Sequence, residues 1–538
     1  MRSRALLLIF LMMGMSVSSI AIADSTISSS TTWSGNVVLS GNVTVDASTT
    51  LVIESGTVVD AQSYWLQVDG TLEAYDTQFM TTETSTSLGS TGAGLWGGIK
   101  ISSGGSTVLS NISISGAESA LQVNGDATIH ESISITNSYI GFDIGTSGTV
   151  DAENVTMSTI DIQSIVNHGT LTIDTAQITN TATGILSTNA LTVDDVSFFE
   201  TGVAIDVVSG TADITGLGLE NVSVGLGSDS GASATVSSIY GQHVALLIDG
   251  TDADDLTVSN ALVSGDRLLW GSIESIALSD MNFTQENPGR SAIDIRCSVD
   301  CTFDNLYIHN ADIGIDVDGA GTTTFTESEI HADQLGLRAS GTGLLVMESS
   351  LLKANETALS ISSVNTELSN TTLSLHDGIG PAAILLEGDH QWDNVEVSKP
   401  YSSLDTQSVG LDVWYSSIHA TSITTDGFAF GVALEDSTLN ADDGTFINGK
   451  LRGLHSIDSQ VNLGTMTTTA QEYGLVLSES SVANIGDWTA NLHNTPLLIE
   501  DGSIAHARTF TPLNTAQGSS DAVGDGTFLY GGPTTSSV

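Results

Sequence analysis

The chain has almost no positive charge. Of its 538 residues only 12 are Lys or Arg, against 63 Asp or Glu, for a formal net charge of −51. Binding nucleic acid needs a cationic surface, so that class of partner is excluded. An anionic polymer such as pectate or alginate is repelled as well, unless cations bridge the two. Cysteine is nearly absent, with Cys297 and Cys301 the only pair. A C-x₃-C spacing lacks the other two ligands of a zinc site, and in an exported chain it suits a short local disulfide. Aromatics make up 5 % of the residues, so a core must be mainly aliphatic. Beyond the first residues no apolar run approaches the roughly eighteen needed to cross a bilayer. No extended stretch after the start carries a 3.6-residue period, and 55 Gly with abundant Ser and Thr disfavour helix.

What is present begins with an export signal. Met1 to Arg4 is positive, Ala5 to Met15 is apolar, and Ala21-Ile22-Ala23 fits a cleavage site, so residues 1–23 read as a signal peptide. Cleavage removes Arg2 and Arg4 and makes the mature chain still more acidic. The expected protein is secreted or displayed at the cell surface. Its acidity suits solubility at high ionic strength, and no cofactor is expected, with Ca²⁺ the one ion its hard oxygen ligands could take. Seven N-x-S/T sequons, at Asn42, Asn111, Asn154, Asn221, Asn282, Asn355 and Asn370, are compatible with a glycosylated surface protein.

The remainder is periodic. A residue, usually small, that precedes an apolar one returns about every 22 positions: Ala120, Gly141, Ser164, Gly184, Ala204, Gly225, Ala245, Leu268, Ala292, Gly314, Gly336, Ala358, Ala383, Gly410, Gly431, Gly453, Gly474 and Pro496. Around this column apolar residues alternate with mixed ones, as in Ile315, Asp316, Val317 and Asp318. Period-two alternation marks strands with one buried face. A repeat of this length containing strands and no helix excludes a leucine-rich repeat, whose L-x-x-L-x-L signature is absent, and a propeller blade, which needs about 40 residues. The expected fold is all-β: a right-handed parallel β-helix of roughly 20 coils at about 22 residues per coil. Residues 24–115 would form a cap and the first coils, 116–510 the regular β-helix and 511–538 a Gly/Ser/Thr-rich tail.

The opening segments Trp33–Asp46 and Ile53–Val59, and later Trp96–Ile101, resemble the first coils of the pectate-lyase-like superfamily of parallel β-helix proteins. The resemblance covers almost the whole mature chain. It implies a fold, and leaves function to specific sites.

The repeat assigns side chains to vertical columns. On the outward face successive coils carry Asp294 and Arg296, then Asp316 and Asp318, then Arg338, while His309, His331 and Lys353 fill another column. Polysaccharide lyases of this fold use carboxylates to hold Ca²⁺ against a uronate and an Arg or Lys to remove a proton. Glycosidases use paired carboxylates. The same charges equally form a cross-strand ladder. The pectate-lyase R-x-P-x-x-R motif is absent, and Asp442-Asp443 and His168-Gly169 are isolated dipeptides. Asp249, Asp252, Asp254 and Asp255 crowd one segment without the Gly and final Glu of an EF-hand. Trp270 and Trp414 sit at outward positions where they could stack on sugars. Longer steps around Gln285–Arg290 and Tyr401–Ser408 are expected to be loops beside a groove. The expected function is a structural or adhesive surface protein in contact with extracellular glycans or other surface proteins. The alternatives are a polysaccharide lyase or glycoside hydrolase, and a non-catalytic carbohydrate-binding protein.

Overall fold

A computed structural model describes residues 20–84, 93–251, 253–400, 406–514 and 527–530. It is an all-β parallel solenoid of about 22 turns with about 22 residues per turn, and no helix occurs among the described residues. The chain divides into two compact units, residues 1–249 and 250–538.

In the first unit the early coils are built from short strands, with Trp65–Val68, Gly98–Ile101 and Ser119–Val123 stacked in parallel. Later coils are nearly continuous strands that bend round the core: Thr149–Asn167, Thr170–Ser187, Ala190–Val207 and Gly210–Ser228. The alternation seen in sequence becomes vertical ladders. Ile129, Ala152, Ile173, Val193, Ile214 and Val236 pair coil to coil, and all are buried. Full burial of an Ile or Val side chain is worth roughly 1.5–3 kcal/mol, so such ladders supply most of the driving force. Strands turn a corner where one residue adopts left-handed φ; Asn137, Thr159, Asn180, Glu200 and Asn221 lie between 50 and 57°.

In the second unit later coils comprise two short strands, such as Thr438–Ile447 with Arg452–Ile457 and Gln460–Thr469 with Tyr473–Ser478. Here a left-handed residue is followed at once by a buried serine. Asp436 (φ 48°) precedes Ser437, Asp458 (φ 44°) precedes Ser459, and Ser480 (φ 69°) precedes Ser481. Each serine Oγ accepts the backbone N–H of its counterpart one coil earlier: Ser437 N to Ser459 at 2.9 Å, Ser459 N to Ser481 at 3.2 Å and Ser481 N to Ser503 at 3.1 Å. The corner breaks the strand ladder, and the hydroxyls satisfy the N–H groups left over.

Two positions of the repeat column require correction. Leu226 pairs with Ile248, so Leu247, rather than Ala245, stacks on Gly225. Leu359 pairs with Ala383, so the partner of Ala358 is Ala382. Ala245 before Leu246 suits a small-then-apolar pattern better than Leu247 before Ile248, and Ala383 before Ile384 suits it as well as Ala382 before Ala383, which is why the pattern alone misplaced them. The expected signal peptide lies outside the described residues up to 19, while Ile20–Ile22 pairs in parallel with Val37–Leu39. Strand Ile504–Leu513, which runs across the expected boundary at residue 510, pairs with Val482–Asn491, and within the expected tail Thr527–Tyr530 pairs in turn with Ile504–Ala507. Residues 286–290 form an exposed bend as anticipated, whereas 401–405 fall outside the described residues, as does Asp252.

Candidate functional site

The outward charges singled out in the sequence come together as ion pairs between neighbouring coils. Arg338 makes a two-pronged contact with Asp316, its partner in register. Arg296 lies 3.5 Å from Asp318, and Arg267 lies 3.7 Å from Asp294. The hydrogen bond to Asp316 pushes the Arg338 guanidinium pKa above its usual value, fixing it in the charged form. A proton-abstracting base needs the opposite shift. The arrangement is that of a charge ladder.

The His309 column also assembles. His309 and His331 rings are 5.3 Å apart, Tyr307 packs edge-on against His309 at 4.0 Å, and His331 pairs in register with Lys353. Burial, with help from His331, holds His309 below the usual histidine pKa. His331 contacts Glu329 at 2.6 Å. Trp270 is 41 % exposed and lies beside Asp294 in register, while the Trp414 indole donates to Asp412. Cys297 and Cys301 form a disulfide, with both residues buried. Among the sequon asparagines, Asn111, Asn154, Asn221, Asn282 and Asn370 are exposed, and Asn42 and Asn355 are half-buried.

A different place on the second unit offers a binding surface. An open trough of about 600 Å³ runs across five coils. A second depression of about 560 Å³ continues it and shares His419 and Ala420. Along its length one outward column, in unbroken register, presents Glu367, Gln391, His419, Asn440, Asn462, Asn484 and His506. Three carboxamides form a chain in the middle. Asn462 Nδ2 donates to Asn440 Oδ1 at 2.7 Å, and Asn484 Nδ2 donates to Asn462 Oδ1 at 2.9 Å.

Gly464 and Gly486 lie in the trough beside the ladder. A Cβ at Gly464 would sit 2.6 Å from the Asp442 carbonyl oxygen, and one at Gly486 would sit 2.1 Å from that of Gly464. Backbones therefore approach too closely for any side chain, and the surface stays hollow. Asp442, Arg508 and the apolar Ala441, Leu463 and Ile485 also line the trough. Arg508 is committed to Asp487, bonding it at 3.2 and 2.5 Å, and with Thr509 it holds the Asp487 carboxyl below the usual range. Asp442, read in sequence as half of an isolated dipeptide, thus lines the trough, while His168 belongs to the other unit.

Reading the repeat at the offsets of the charged and histidine columns missed this site. Its signal is nonetheless in the sequence: Asn440 in T-L-N-A-D-D-G, Asn462 in Q-V-N-L-G-T-M and Asn484 in V-A-N-I-G-D-W, each flanked by the apolar residues of one strand.

No protein-family model matches the chain, and no curated protein or solved structure matches it.

Proposed function

We propose that this is an exported acidic β-helix that serves as a cell-surface structural or adhesive protein and contacts extracellular glycans through the trough. One observation carries the reading: a hydrogen-bonding column, open to solvent, repeats at coil spacing along a hollow several coils long. Parallel strands are about 4.8 Å apart, so the ladder offers one polar rung per step to an extended polymer. A compact ligand would have no use for such repetition. Kinship with the pectate-lyase-like superfamily belongs to this proposal, as do the secreted location, glycosylation at the exposed sequons and Ca²⁺ as the one ion the surface carboxylates would take.

The lyase reading draws less support. Its best base, Arg338, is held charged by Asp316, and the neighbouring guanidinia face carboxylates of their own.

The experiment is a thermal-shift series on the mature protein with soluble neutral and acidic polysaccharides. A ligand that binds only the folded chain raises Tm, by about 2.7 kcal/mol of added stability at a hundred times its Kd. The proposal expects at least one glycan to do so; no shift with any of them would overturn it.

A further inference from the structure

We infer that the trough takes a linear, neutral glycan laid across successive coils, with its hydroxyls read by the Asn440–Asn462–Asn484 ladder. The inference rests on the proposed glycan-contacting function and narrows its ligand class.

The argument starts from the carboxamides. Each has two N–H donors and an oxygen with two lone pairs. The internal ladder engages one N–H and one lone pair of Asn462. That leaves a donor and an acceptor on the same side chain. A sugar hydroxyl is itself both donor and acceptor, so it complements this pairing, and successive sugars meet equivalent rungs. Asn462 is half-buried and Asn484 exposed, which leaves these groups within a ligand's reach. The ladder also fixes the carboxamides before any ligand arrives, which lowers the ordering cost of binding.

Charge selects against the other glycan class. Asp442 lines the trough, Glu348, Glu367 and Asp393 line the depression that continues it, and the arginine present, Arg508, is paired with Asp487. A uronate or sulfated chain would bring a negative charge at every step into a field of carboxylates. A neutral chain meets no such repulsion.

The test is isothermal titration calorimetry on the mature protein stripped with EDTA and then dialysed free of it, with neutral cello- and manno-oligosaccharides in one arm and oligogalacturonate, with and without added Ca²⁺, in the other. Wild type is compared with Asn462→Ala and Asn484→Ala, each checked by circular dichroism. Asn484 is exposed and ends the asparagine run, so its replacement keeps the test usable if Asn462→Ala fails to fold. The expected result is binding in the neutral arm, weakened about tenfold or more by either substitution, which corresponds to about 1.4 kcal/mol. Binding of oligogalacturonate alone, or neutral binding untouched by both variants, would overturn this inference while leaving the glycan-contact proposal standing. Absence of binding in every arm would overturn both.

Discussion

Arg338 sets two guanidinium nitrogens against the two carboxylate oxygens of Asp316 directly across from it in the adjacent coil, with the Nε contact at 2.9 Å. The pair is half exposed on the Arg side, so water and salt screen it. Exposed pairs of this kind contribute about 1 kcal/mol or less. Replacing both residues by Ala should therefore lower the urea-unfolding free energy by no more than about that amount. It should also leave any activity on uronate polymers at background. A defined loss of lyase activity would restore the catalytic reading of the patch.

Acid should destabilise the second unit through two histidines. His390 is fully buried; its Nδ1 lies 3.0 Å from Thr366 Oγ1, which also accepts the Trp392 indole N–H, and its Nε2 has no partner. Burial pushes its pKa down to about 4, and burial followed by the neighbouring Arg452 charge does the same for His455. In both cases the unfolded chain takes up the proton first. Their stabilising effect is therefore complete above the ordinary histidine pKa of about 6.5 and is lost as pH falls towards 4. For His390 the loss is on the order of 3 kcal/mol. Tm should fall between pH 7 and pH 4.5, and His390→Gln should flatten that decline. An unchanged slope in the variant would contradict the assignment.

The serine corner makes a sharper demand. Ser459 Oγ accepts the Ser437 N–H and donates to the Ile457 carbonyl at 2.6 Å. Ser459→Ala orphans a buried backbone donor, which costs about 1–3 kcal/mol. Urea titration should show that loss, and an effect below about 0.5 kcal/mol would mean the N–H has found water.

Charge predicts the response to salt. With 63 acidic residues against 12 basic ones, self-repulsion opposes the compact state. Raising ionic strength from about 0.01 to 1 M shortens the screening length from about 30 to 3 Å, so Tm should climb across that range. EDTA should leave Tm unchanged, because the core ladders are apolar. A large drop with EDTA would point to structural Ca²⁺.

The solenoid was legible because its cause is local: alternation around a 22-residue period places Ile173, Val193 and Ile214 on one inner face whatever the turns do. The same ruler aligned Asp316 with Arg338 correctly. It slipped at Ala245 and Ala383, where a residue one or two places from the true position suits the pattern at least as well and only strand pairing decides. The trough was hidden for another reason. Its hollow depends on close backbone approach at Gly464 and Gly486, and in sequence those glycines look like any others in a Gly-rich chain.

The most direct test of the account compares one glycan-induced thermal shift in three proteins: wild type, Asn462→Ala/Asn484→Ala and Arg338→Ala/Asp316→Ala. With a neutral oligosaccharide that raises the wild-type Tm, the trough variant should lose most of the shift and the charge-ladder variant should keep it. The reverse pattern would contradict the account and move the binding site to the charged patch.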